Sequence, residues 1–156
     1  MNAVVDTNIW LDWLVFDEPS TRGLLQACER GALVVRATAP MRDELAVVLA
    51  YPQFALTDAE RARRLRDFDR LTRLDADSDH PVPTLACRDP SDQKFVDHAL
   101  RSACTWLISR DRKVLALARR ARRLGLMIVR PDDAALNREA CSTVAPRPRE
   151  PRHHGV

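Results

Sequence analysis

In the run AVVDTNIW, Ala3 to Trp10, a short unbroken apolar segment ends on an aspartate, and a helix-compatible stretch follows at once. A run too short for a helix and without polar alternation suits a strand buried on both faces. The apolar helical stretch after it extends to about Phe16 and contains Trp10 and Trp13. A buried strand that turns directly into a helix is the opening of an alternating α/β architecture.

The rest of the chain repeats this alternation. Ser20, a good N-cap, and Gly31, a good stop, bracket a second helix, and Leu33 to Val35 is the next strand. Pro40 suits the first turn of a helix that runs to Tyr51, before Pro52. Thr57 and Glu60 have capping-box spacing and open a long arginine-rich helix to about Leu74. Asp75 to Arg88 reads as a polar, proline-bearing loop. Asp89-Pro90 then caps a helix to about Ala103, followed by a strand over Thr105 to Ile108. A helix from Arg112 to Leu124 stops at Gly125, a strand covers Met127 to Val129, and a short final helix starts near Pro131. This pattern predicts a three-layer α/β/α fold around a parallel sheet of about four to five strands. One domain is expected over residues 1–141, with a disordered tail over 142–156, where prolines and arginines replace any apolar pattern.

Composition narrows the class. The chain has 156 residues, 46% apolar and 30% charged, a globular balance that excludes fibrous and wholly disordered readings. No run approaches the roughly twenty apolar residues of a bilayer span, and no secretory signal pattern opens the chain, so a cytoplasmic location without membrane association is expected. Cys28, Cys87, Cys104 and Cys141 are scattered without C-x-x-C or zinc-ligand spacing and read as reduced core or loop residues. The net charge of +3 owes much to Arg147, Arg149 and Arg152 in the tail, which leaves the remainder close to neutral.

The acidic residues carry the chemistry. Met41, Leu45, Val48 and Leu49 form one helical stripe, and Glu44 lies within it. Phe95, Val96, Ala99, Leu100 and Ala103 form another, and Asp92 sits at its head. Asp6 and Asp111 each follow a strand, at the edge of an open α/β sheet where ligand sites form. Four carboxylates are therefore expected at one end of the sheet. Two like charges about 4 Å apart repel by roughly 4 kcal/mol at an effective dielectric near 20, so protonation or a cation must offset them. Oxygen-only donors favour Mg2+ or Mn2+, in one or two ions, over zinc.

VVDTN at the start, Glu44 in RDELAVVL, then CRDPSDQKF and LISRD together resemble the PIN-domain family, most closely the toxin components of bacterial toxin–antitoxin pairs. The resemblance spans about residues 3 to 133. It implies a metal-dependent endoribonuclease in which Asp6, Glu44, Asp92 and Asp111 hold the metal. Asn8 matches a residue that braces the first acid, and Ser109 stands where a serine or threonine usually precedes the last. The resemblance further implies an RNA substrate, a cognate antitoxin protein and a homo-oligomer. Arg110, where a small residue is common, and the bulky Trp10 and Trp13 depart from the family pattern.

Structural roles compete with these at each position. Asp6 and Asp111 suit helix N-caps, Asp92 suits the helix dipole behind an Asp89 cap, and Glu44 suits pairing with an arginine. Arg112, Arg119 and Arg123 line the polar side of their helix and would steer an RNA backbone or simply face water. His80, His98, His153 and His154 show no metal spacing. Trp10, Trp13 and Phe16 are expected in the core, the other reading being a hydrophobic seam for a second subunit or an antitoxin. Phosphatases that attack through an aspartate also place an acid after the first strand, but their D-x-D requirement fails at Asn8. The alternative retained is a non-catalytic module of the same fold that binds RNA or protein.

Overall fold

Five short strands build the sheet in the computed structural model, which describes residues 1–142: β1 (Asn2–Val5), β2 (Val34–Ala37), β3 (Thr72–Leu74), β4 (Trp106–Ile108) and β5 (Met127–Val129). Every neighbouring pair is parallel, in the order β3-β2-β1-β4-β5. The helices are α1 (Thr7–Leu11), continued by a π-helical turn over Asp12–Phe16, α2 (Arg22–Glu29), α3 (Ala39–Leu49), α4 (Asp58–Leu71), α5 (Gln93–Arg101), α6 (Arg112–Leu115), α7 (Ala118–Arg122) and α8 (Ala134–Ser142). The expected disordered tail lies outside the described residues apart from Ser142, which closes α8.

The order of the strands explains where a site forms. From β1 the chain moves out to β2 and β3, then returns to the other side of β1 for β4 and β5. Right-handed crossovers put α1 to α4 on one face and α5 to α7 on the other, giving three layers. Helix α5 packs on β1 and β4, α7 on β5, and α2 on α8. The direction reverses between β1 and β4, and at such a switch point the diverging connections open a crevice beyond the strand carboxyl ends.

Burial on both faces follows from the apolar runs: Ala3, Val4, Val5, Trp106, Leu107 and Ile108 are all buried. On the α1 side, Trp10 stacks edge-on against Trp13 with ring centroids 5.0 Å apart and lies 4.6 Å from Phe68 of α4. Full burial of each such side chain contributes about 1.5–3 kcal/mol, so these rings tie α1 to α4 strongly. The indole N–H of Trp13 donates to the Thr21 carbonyl at 3.2 Å, satisfying its one polar atom. Phe16, expected in the core with the two tryptophans, is 57% exposed and touches only the edge of Phe54 among the rings.

Several element boundaries differ from the sequence reading. The arginine-rich helix ends at Leu71, and Thr72–Leu74 forms the fifth strand. That edge strand is partly exposed along its length, so it carries no buried apolar run to announce it. The helix expected from Arg112 to Leu124 is two shorter ones. Leu117 and Arg120 donate to carbonyls three residues back, each at 3.0 Å, and this tighter turn keeps Val114, Leu117 and Ala121 buried on one side. Arg22, after a 3-10 turn over Pro19–Thr21 capped by Glu18 rather than Ser20, opens α2. Asp89 likewise caps a 3-10 turn over Pro90–Asp92, and α5 begins at Gln93. Gly31 and Gly125 sit at φ 73° and 81°, the left-handed conformation that terminates a helix without a Cβ clash.

Candidate active site

Asp6 leaves the C-terminal end of β1 and is buried at the switch point. Its backbone N–H extends the sheet by donating to the Ile108 carbonyl at 3.0 Å, which fixes it beside the end of β4. Ser109, fully buried just after β4, donates its hydroxyl to Asp6 Oδ2 at 2.5 Å, and the Asn8 amide donates to the same oxygen at 3.0 Å. The Asn8 carbonyl oxygen accepts from the Arg110 N–H at 3.3 Å, and Ser109 Oγ accepts from the Asp111 N–H at 2.9 Å. A continuous hydrogen-bonded path therefore links the residues after β1 to those after β4.

Asp6 is offered as an N-cap by its position, yet its side chain makes no cap hydrogen bond to α1. Asp111 does cap: its Oδ1 accepts from the Lys113 and Val114 N–H groups at 2.6 and 3.4 Å. One of its oxygens is thus committed to the start of α6. Asp92 makes no side-chain cap to α5, and that work falls to the preceding turn, where Asp89 accepts from the Ser91 N–H at 3.1 Å. Asp89 also pairs with Lys113 at 2.8 Å, and these partners hold its carboxyl below the usual range.

Glu44, in the second turn of α3, reaches the same edge from the opposite layer. It accepts from the Thr7 hydroxyl at 2.7 Å and forms an ion pair with Lys94 of α5. Where the structural reading of Glu44 offered an arginine partner, the partner is a lysine, and it comes from the helical layer on the other face of the sheet. Neither Lys94, Thr7 nor Lys113 was singled out from sequence. Their roles depend on which helix ends meet at the switch point, and no local spacing encodes that.

The electrostatics show that the acids share one neighbourhood. Burial raises the Asp6 carboxyl above its ordinary value; the Ser109 hydroxyl and the Thr7 backbone oppose this, while the charges of Glu44 and Asp111 add to it. Asp92 is pushed up from 3.8 to about 6, first by burial and then by Asp6, Asp111, Asp89 and Glu44. Mutual repulsion among oxygen-only donors is the condition that a hard divalent cation relieves. Among the described residues, however, no group of three or more His, Cys, Asp or Glu is arranged to hold a metal ion as it stands. The donors suit Mg2+ or Mn2+ in kind, and Glu44 among them is paired with Lys94.

The basic residues divide. Arg112 is exposed beside Asp111 at the acidic edge, whereas Arg119 and Arg123 lie on the stretch that descends toward the start of β5, at the opposite end of the sheet. Arg110, the departure from the expected small residue, turns away to bond Asp12 at 2.8 Å and Ser20 at 3.0 Å. A cavity of about 400 Å³ opens elsewhere, against α5, lined by Arg36, Asp75, His98 and Arg101 among others and by none of the four acids. There Asp75 binds Arg36 through both carboxylate oxygens, at 2.6 and 2.7 Å, and lies 3.2 Å from buried His98. His98, which has no metal-ligand spacing, is thus the buried member of a half-buried polar network.

A family model described as PIN domain matches residues 2–113 of the chain. No curated protein and no solved structure matches it.

Proposed function

The chain belongs to the PIN-domain family, and from that premise we propose that it is a Mg2+- or Mn2+-dependent endoribonuclease that hydrolyses RNA phosphodiesters at the carboxylate cluster of Asp6, Glu44, Asp92 and Asp111. The observation that carries the reading is Asp92, whose carboxyl is raised to about 6 by burial and by the charge of the other acids. A carboxylate that caps no helix, and that is raised by burial and by like charges at the open edge of the sheet, supports a functional role over a structural one.

In this reading each residue has a defined task. Asp6 is held against rotation by Ser109 and Asn8, so its second oxygen is presented at a fixed place. Asp111 is oriented by its bond to the first turn of α6, and Ser109 couples its backbone to Asp6. Asp92 retains a proton below about pH 6 and must release it before it binds a cation. Asp89 serves as the brace of the turn that carries Asp92. A divalent ion bound by these carboxylates supplies Lewis acidity toward the phosphate and lowers the pKa of an attacking water. Arg112 is placed to attract the RNA backbone; Arg119 and Arg123 would act only on RNA extending well beyond the cleavage point.

The reading extends to the toxin of a toxin–antitoxin pair, with a protein antitoxin, a homo-oligomeric state, a cytoplasmic location and a catalytic domain over residues 1–141. Among the described residues no helix is long and apolar enough to cross a membrane. The purified full chain should cleave single-stranded RNA with Mg2+ or Mn2+ and lose this in EDTA and in Asp6→Asn and Asp92→Asn. Expression without an antitoxin should arrest growth, and Asp6→Asn should relieve the arrest. A second reading, a non-catalytic RNA- or protein-binding module, is favoured by the ion pair that occupies Glu44. RNA that is bound but never cut with either ion would establish it.

A further inference from the structure

Lys94 brings a cation directly onto one of the four acids. It stands in the first turn of α5, two residues after Asp92, and crosses the switch point to pair with Glu44 of α3. Its ammonium also donates to the Ser91 carbonyl, in the turn that carries Asp92, and lies 4.9 Å over the Phe95 ring. Side-chain exposure is 27% for Lys94 and 28% for Glu44, so the pair is partly shielded but open on the solvent side. The other Glu44 oxygen is engaged by Thr7. A divalent ion that approaches Glu44 through Oε2 therefore competes with the lysine.

We propose that Lys94 is a further substrate-binding residue: its ammonium balances Glu44 until a divalent ion claims that carboxylate, and then turns to a non-bridging oxygen of the RNA phosphate. A lysine ammonium is a compact charge on a flexible four-carbon stem, which suits it to exchange Glu44 for a phosphate oxygen at the same edge. Its three N–H groups suit the non-bridging oxygens, on which negative charge builds as the phosphoryl group is attacked. The phosphate contact rests on the ribonuclease reading above, whereas the competition for Glu44 does not.

The test compares the full chain with Lys94→Met and Lys94→Arg. In calorimetric titrations with Mn2+ alone, Lys94→Met should bind the ion about fivefold more tightly, as expected when a partly exposed competing ion pair is removed. Lys94→Arg should stay near wild type. Unchanged or weaker Mn2+ binding by Lys94→Met would overturn the competition. In RNA cleavage, Lys94→Met should raise KM and lower kcat by about tenfold, and Lys94→Arg should recover most of the loss; wild-type kinetics in Lys94→Met would overturn the phosphate contact. If the wild-type chain cuts no RNA, the ribonuclease reading fails and takes the phosphate contact with it, while the Mn2+ titration still decides the competition. Should Lys94→Met not fold, Lys94→Gln serves in its place.

Discussion

Replacing Asp92 by asparagine removes a charge that its surroundings oppose, and the size of that opposition can be worked out. The carboxyl titrates at about 6 rather than 3.8, a rise of roughly two pK units at about 1.4 kcal/mol each, or about 3 kcal/mol against the ionised form. The side chain is only partly buried, and solvent and salt screen much of this. A net gain of about 1 kcal/mol in folding stability is therefore expected for Asp92→Asn at pH 7 without divalent ions. The sign follows from linkage: a carboxyl whose folded pKa is raised costs the native state nothing below about pH 4, and the cost grows through about 6 and is complete above it. The gain should thus be largest at neutral pH and vanish near pH 4. For a chain of this length, 1 kcal/mol corresponds to a rise of about 2–4 °C in Tm, readable by calorimetry in EDTA. The same variant should lose the stabilisation that millimolar Mn2+ gives the wild type. Most single substitutions destabilise, so a lower Tm for Asp92→Asn at pH 7 would mean that the native state is not opposed to this charge and would return Asp92 to a purely structural role.

Further outcomes follow from the same geometry. Apparent Mn2+ affinity of the wild type should rise by up to about tenfold per pH unit below about 6 and level off above, since Asp92 must release its proton to bind; a flat profile from pH 5 to 7 would exclude it as a ligand. Ser109→Ala removes a hydroxyl that donates to Asp6 and accepts from the Asp111 N–H, at a cost of about 1–3 kcal/mol in urea unfolding. Ser109→Thr, which keeps the hydroxyl, should restore any lost cleavage, and failure to do so would place the effect in packing rather than in the hydrogen bonds. Thr57→Ala breaks the capping box at the start of α4, so it should cost about 1 kcal/mol without changing the cleavage rate. A rate change there would connect α4 to the chemistry.

The fold was legible because its signals are local. Buried strands such as Ala3–Val5 and Trp106–Ile108 announce themselves as short apolar runs, and Thr57-x-x-Glu60, Gly31 and Gly125 mark helix ends by their own chemistry. β3 was missed for the complementary reason, since a three-residue edge strand with exposed Arg73 and Leu74 has no buried face to display. The division of the basic segment after Arg112 depends on how Leu117 fits against the sheet, which a helical period alone does not convey. At the site, the two acids that follow strands could be placed from order alone, because strand ends in a parallel sheet meet at one edge. The partners could not. Lys94 meets Glu44 from the opposite helical layer, and Thr7 meets it from the neighbouring helix of its own layer, through a docking of helices that only the folded chain specifies.

The most direct measurement is anomalous diffraction at the manganese edge from crystals of the full chain grown with Mn2+. A Mn2+ peak coordinated by Asp6 and Asp92 is expected, with Asp111 and Glu44 around it and Lys94 turned away from Glu44. A fully ordered edge with no peak at millimolar Mn2+, and with Lys94 still paired to Glu44, would contradict that coordination.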